Sequence, residues 1–267
     1  LLPPVRKEYM QRAFNFYQLT ARYSPTYSDA IIELIDFMGK EGFGSPQQRR
    51  FYLSLLARRD REAFLNTFMA RVIALTDEER ARAAEALLLD MRSAVEGIDD
   101  EYPEIYEAMA LLYQIMGNAP AHHAAVENLK RLHPNHPSLP QRLAEDLILS
   151  GKFTEAEGVT GLLMQEEDYR RNLRLLLTRS ELLALVGKKA ESDKLAQTAQ
   201  ELADSPALFH ATRGYVRQYL MNDSQGALQD YAAALEHRPA YLPTPAYLAL
   251  IRDRVAHEDW QTARKYL

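Results

Sequence analysis

The chain has 267 residues, 47% of them hydrophobic and 26% charged, a soluble balance sufficient for one elongated or two compact domains. Its 32 Lys and Arg against 37 Asp and Glu leave a net charge of −5, which argues against duplex nucleic acid as the main partner, because phosphate neutralisation needs clustered positive charge. There is no cysteine, so disulfide staples, thiolate catalysis and Cys-ligated zinc are excluded.

No run approaches the roughly 20 apolar residues that a bilayer span requires, and the opening LLPPVRKEYM lacks a signal-peptide core, so a soluble segment without direct membrane insertion is expected. The chain opens on Leu1 and stops at QTARKYL within a helical pattern, which reads as a piece of a longer or processed protein. Apolar residues recur at spacings of three and four, and no sustained period-two alternation interrupts them, so the protein is expected to be all-α. Residues 1–98 predict helices near 6–23, 28–41, 46–57, 60–75 and 77–97, an N-terminal helical region of divergent hairpins. Ser45 before Pro46 is an N-cap with proline at the first helical position, and Thr76 with Glu79 forms a capping box. In RRFYLSLLARRDR, Arg49, Arg50, Arg58, Arg59 and Arg61 surround Phe51 and Tyr52, a pattern that fits stacking and phosphate binding. Phe51, Leu55 and Leu56 share a helix face, however, and residues 1–98 hold 14 basic and 13 acidic side chains, so a solvated arginine face is the reading adopted.

Residues 99–267 hold 18 basic and 24 acidic side chains and read as five helical hairpins, near 103–134, 137–168, 172–204, 207–239 and 244–267, the last truncated. Asp99 and Asp100 precede the first helix, where negative charge complements its exposed N–H groups, and Glu166 to Asp168 fall in a turn. His122, His123, His133 and His136 lie close in sequence, but with no carboxylate in ligand spacing they are expected at the surface rather than on a metal. Ser205 and Pro206 start another helix. In GALQDYAAALEHRP, Ala227, Tyr231 and Ala234 fall on one helix face as a small, large, small stripe closed by Pro239, and this face is expected to be buried against a neighbour. Similar helix starts recur at His122, Ala156, Ser192, Ala227 and Ala263, in steps of 34, 36, 35 and 36 residues.

A helical hairpin repeated at this period resembles the tetratricopeptide repeat family. Tyr106, Met109, Ala110, Tyr113, Gly117, Val126, Leu129 and Pro134 match its pattern in the first unit, and Gly214, Ala227, Tyr231, Ala234 and Pro239 match it in the fourth. The second unit has Leu143, Ala144, Leu147, Gly151 and Ala156, but Thr160 and Asp168 stand where an aromatic and a proline are usual. The resemblance covers about 165 residues and implies a right-handed superhelical solenoid whose first helices line a concave face. On that face it places Glu107, Leu111, Gln114, Gln141, Glu145, Ile148, Tyr215, Gln218, Tyr219 and Arg252. Relatives that clamp a terminal carboxylate use lysine and asparagine there; Glu107, Gln141 and Glu145 would instead repel one, and they favour a partner with basic or hydrogen-bonding groups. The resemblance thus implies a scaffold or adaptor for a protein or peptide partner, with bacterial envelope and polysaccharide-export assemblies as one setting for such repeats. The alternative is a regulatory or substrate-docking arm of a larger enzyme. No nucleophile, phosphate-loop, metalloprotease or calcium-loop motif occurs, so no catalytic residue, metal or other cofactor is expected in the segment, nor a nucleic-acid partner. The oligomeric state is left open.

Overall fold

The computed structural model describes residues 3–23, 28–41, 44–75, 80–237 and 244–265. Pro239, Thr76 and Glu79 lie outside them. Sixteen α-helices and no strand occur among the described residues. The chain divides within one helix into two compact units, Leu1–Ala108 and Met109–Leu267; sequence placed the change of region at 98/99.

The N-terminal unit holds α1 (Pro3–Tyr23), α2 (Ser28–Glu41), α3 (Pro46–Arg59), α4 (Arg61–Leu75) and α5 (Ala81–Ala94), then a short 3-10 turn (Asp99–Glu101) leading into α6 (Pro103–Ile115). Ser45 starts α3 as expected: it accepts from the Gln48 N–H while the Gln48 side chain accepts from the Ser45 N–H. The helices enclose an apolar core that includes Leu34, Leu53, Leu56, Phe64, Phe68, Leu88 and Met91. Tyr102 completes it, buried edge-on against Phe64 with its hydroxyl donating to the Ala57 carbonyl at 2.7 Å. The face of α3 that meets this core runs through Leu53, Leu56 and Ala57, whereas Phe51 points outward and is 61% exposed.

The C-terminal unit is a stack of hairpins with leading helices α6, α8 (Leu139–Leu149), α11 (Leu173–Leu185), α13 (Pro206–Tyr219) and α15 (Thr244–Ala256). Their trailing helices are α7 (Ala119–Leu132), α9 (Phe153–Leu163), α12 (Lys189–Leu202), α14 (Ser224–His237) and α16 (Trp260–Lys265). A one-turn helix, α10 (Glu167–Arg170), sits in the turn around Asp168.

One backbone device closes every hairpin. A left-handed residue follows each leading helix: Gly117 (φ +65°), Gly151 (+75°), Gly187 (+84°), Asn222 (+54°) and Glu258 (+58°). The next N–H then bonds back across the helix end, from Asn118 to Tyr113, Lys152 to Leu147, Lys188 to Leu183 and Asp259 to Arg254, at 2.8 to 2.9 Å. In the fourth turn the bond runs from Asp223 to Arg217, one residue longer, which accommodates the extra residue of MNDSQG. The carbonyls of Asn118, Lys152, Lys188, Asp223 and Asp259 next accept from the N–H groups of His122, Ala156, Ser192, Ala227 and Ala263. These are the five helix starts read from sequence, and all five are buried.

Burial of the stripe follows from this register. Ala227, Tyr231 and Ala234 join Ala211, Ala246 and Leu250 in one cluster. Gly214 lets α13 approach α14 so closely that a Cβ there would lie 2.5 Å from Tyr231 Cε1, and the Tyr231 hydroxyl donates to Gln218 Oε1 at 2.8 Å.

Where a register position is polar, a leading helix supplies its partner. Ser180 donates to the Ser192 carbonyl at 3.0 Å. His122 is fully buried, with Nδ1 3.2 Å from Asp146, and His123 approaches the other oxygen of that carboxylate at 2.8 Å. His122 is therefore not a surface histidine: it occupies the core-facing position held by alanine in three of the other hairpins, and its carboxylate arrives from α8 rather than from nearby sequence.

Candidate binding face on the leading helices

The leading helices of the C-terminal unit carry a polar and aromatic ladder from one hairpin to the next. Its centre is Glu145 on α8, 1% exposed, whose carboxylate accepts from Arg142 Nη1 at 2.8 Å, Arg174 Nη2 at 2.7 Å and Gln141 Nε2 at 3.0 Å. Arg174, from α11, also donates to Gln114 Oε1 on α6 at 3.3 Å and lies 4.7 Å over the ring of Tyr215 on α13. Tyr215 meets Tyr219 at a ring separation of 4.9 Å. Four successive leading helices are thereby joined through Gln114, Glu145, Arg174 and Tyr215.

The electrostatics explain why a carboxylate survives burial here. Desolvation pushes the Glu145 carboxyl up, but the Arg174 and Arg142 charges together outweigh it and hold the group below the ordinary glutamate range. Tyr215 is pushed the other way, chiefly by burial of its hydroxyl, with Arg174 opposing. Glu145 therefore offers no free negative charge to a ligand, a correction to its expected place as an exposed groove carboxylate. Its role is to hold Arg142, Arg174 and Gln141 in position.

The other predicted positions separate by burial. Gln114 is 1% exposed and Tyr219 is also buried, so both belong to the base of the face rather than its rim. Leu111, Gln141, Tyr215 and Gln218 are half-buried, and Arg252 on α15 is exposed. Ile148 is buried in the core. Glu107 is half-buried on the part of α6 that belongs to the N-terminal unit. Arg174 escaped the sequence reading, and so did a second network in which Asp230 on α14 accepts from Arg213 Nε at 2.9 Å and Arg217 Nη1 at 3.0 Å, with His210 Nδ1 also at 3.0 Å. Arg217 reaches back to Glu181 on α11 at 2.9 Å. The available signal was i, i+4 arginine spacing on α13 opposite a carboxylate inside an otherwise apolar stripe. Among the described residues, no group of three or more His, Asp and Glu side chains converges as a metal site would require, and no helix is long and apolar enough to cross a membrane.

No family model matches the chain, and no curated protein matches it. Among solved structures, it is similar to a tetratricopeptide repeat protein from Parabacteroides merdae, at 16% identity and a TM-score of 0.51, over 92% of this chain and 93% of that one. At that identity the likeness carries fold alone. The fold is an all-α stack of helical hairpins like that of the repeat protein.

Proposed function

We propose that this chain is a binding scaffold whose leading-helix face in the C-terminal unit receives a peptide or helix of a protein partner. The observation that carries the reading is the ladder itself: an ion pair, a hydrogen bond and a cation–π contact fix Glu145, Arg174, Gln114 and Tyr215 on four successive leading helices, so the neighbouring rim groups Leu111, Gln141 and Gln218 and the ring of Tyr215 are presented without a large ordering cost. With Glu145 neutralised by two guanidiniums, the partner is selected by hydrogen-bonding and aromatic contact, and basic character matters less than composition suggests. Tyr215 supplies large contact area with few rotatable bonds. Arg252 extends the same face onto α15. The chain acts by binding rather than catalysis, within a larger assembly such as one at a bacterial envelope.

The test is affinity purification with the 267-residue chain as bait, followed by direct binding of whatever is retained to two variants. Leu111→Glu with Gln141→Arg should abolish retention while the helical circular dichroism of the chain is kept. Retention undiminished by both this pair and Tyr215→Ala would place the binding surface elsewhere.

A further inference from the structure

The N-terminal unit contains a feature that the ladder does not use. A cavity of about 640 Å³ opens between α1 and α3, lined by Leu19, Leu55, Phe51 and Tyr52 with Arg22 and Arg59. Asn15 and Gln18 add amides, Ala21 lies at the base, and no carboxylate lines it among the described residues. Beside it, α1 presents an apolar stripe at helical spacing: Phe16 is 66% and Tyr23 71% exposed, with Tyr9 and Leu19 also exposed on that side. Side chains this large and this exposed are individually ordinary, but a stripe of them on the helix that supplies Leu19 to the cavity forms a patch of the kind that marks an interaction site.

Charge identifies the occupant. The two helices concentrate the basic residues of a chain whose net charge is −5: α1 carries four (Arg6, Lys7, Arg12, Arg22) and α3 carries four (Arg49, Arg50, Arg58, Arg59), against the one carboxylate Glu8. Several of them meet local partners. Arg12 pairs with Glu8, Arg49 and Arg50 with Asp90, and Arg58 donates to the Glu96 carbonyl. Arg22 and Arg59 are the two of them that line the cavity, and both lining charges are positive. A cavity of this size, apolar in its walls and cationic at its rim, complements an acidic segment bearing bulky apolar side chains. It fits a nucleic-acid strand less well, because Leu19, Leu55 and Ala21 wall it with aliphatic surface rather than a continued track of positive charge.

We propose that the cleft between α1 and α3 is a second docking surface, which seats an acidic, apolar-faced segment of a protein partner. An aromatic or branched side chain of that segment fills the cavity against Phe51 and Leu55, and its carboxylates meet Arg22 and Arg59. This surface is independent of the leading-helix face of the C-terminal unit.

The experiment selects from a phage-displayed random 16-residue peptide library on the intact 267-residue chain, then measures the winning peptide, fluorescein-labelled, by anisotropy. Winners should combine Asp or Glu with Leu, Phe or Trp at spacings of three and four. Arg22→Glu with Arg59→Glu should weaken binding at least tenfold and Phe51→Ser about as much, with helical circular dichroism retained because all three side chains are exposed. The same peptide with lysine in place of its acids should prefer the charge-reversed variant, a gain that a misfolded surface cannot give. Tyr215→Ala should leave the affinity unchanged, which separates failure here from failure of the C-terminal face. No enrichment, winners without acidic character, or affinity indifferent to the reversal would overturn the proposal. It would also fall if a labelled dT16 strand bound in an Arg22- and Arg59-dependent way while acidic peptides did not, the result a nucleic-acid groove would give.

Discussion

Glu145 shows most directly how one residue can govern a face it does not itself present. Replacing it with glutamine leaves Arg142 and Arg174 against a neutral amide, and unpairing buried charge of this kind costs about 3 kcal/mol. Urea unfolding of Glu145→Gln at pH 7 measures this directly. The pH dependence has a definite sign: a carboxyl held below its ordinary value of 4.5 stabilises the fold fully above that value, and the contribution vanishes as pH falls through the depressed value. Wild type and variant should therefore converge in strongly acid solution. His122 acts in a higher window. Burial, only partly opposed by Asp146, lowers it from 6.5, so the folded state favours the neutral ring and loses stability as pH falls below that ordinary value through the lowered one. The melting temperature of wild type should decline between pH 7 and 5, and His122→Ala should flatten that decline; equal slopes would contradict the assignment. Sequence marked His122 as a repeat position yet also read it as surface. The first reading was physical, because a repeat fixes which face is buried whatever residue occupies it. The partner was illegible, since Asp146 is 24 residues away and only the folded stack brings it near. Arg174 was illegible for the same reason, as its meaning lies in Gln114, Glu145 and Tyr215 on three other helices.

At the scale of the element, the turns were written more plainly than the helix faces. Glycine occupies three of the five left-handed positions and marks those turns in the sequence, whereas Asn222 and Glu258 carry no such mark; the 34 to 36 residue steps located only the helix starts that follow them. Asn222 tolerates that conformation, but Glu258 at φ +58° holds its Cβ against the following carbonyl in the left-handed region, a clash that glycine would avoid. Glu258→Gly should therefore stabilise the fold by about 1 kcal/mol, whereas Gly151→Ala should destabilise it by a similar amount, although nothing crowds a Cβ there. Opposite shifts in denaturation midpoint test the pair, and two losses would show that the turn is not limited by backbone strain. The α13–α14 contact fails differently. Ala234→Leu or Gly214→Ala forces side-chain volume against Tyr231 and its neighbours and should cost about 1–3 kcal/mol, read as a lowered thermal midpoint.

For the molecule as a whole, each unit has its own core, and in the C-terminal unit each hairpin meets chiefly its neighbours. Stability in such an array is close to a sum of hairpin terms and interface terms, so damage should spread by adjacency rather than everywhere at once. Glu145→Gln breaks a link among α6, α8 and α11, while Tyr102, Phe64 and Phe68 in the N-terminal unit lose no partner. Native-state hydrogen exchange on this variant should show faster exchange first in α8, α9 and α11. Smaller changes should follow in α13 and α14, with α3 and α4 protected as in wild type. Phe64→Ala should give the complementary pattern, because it opens a cavity beneath Tyr102 and costs about 3–5 kcal/mol within the N-terminal unit. If either substitution accelerated exchange uniformly through residues 3–265, the chain would be unfolding as one cooperative body. The division of labour between a C-terminal ladder and an N-terminal cleft would then lack separate structural support, and ligand binding at one should measurably stabilise the other.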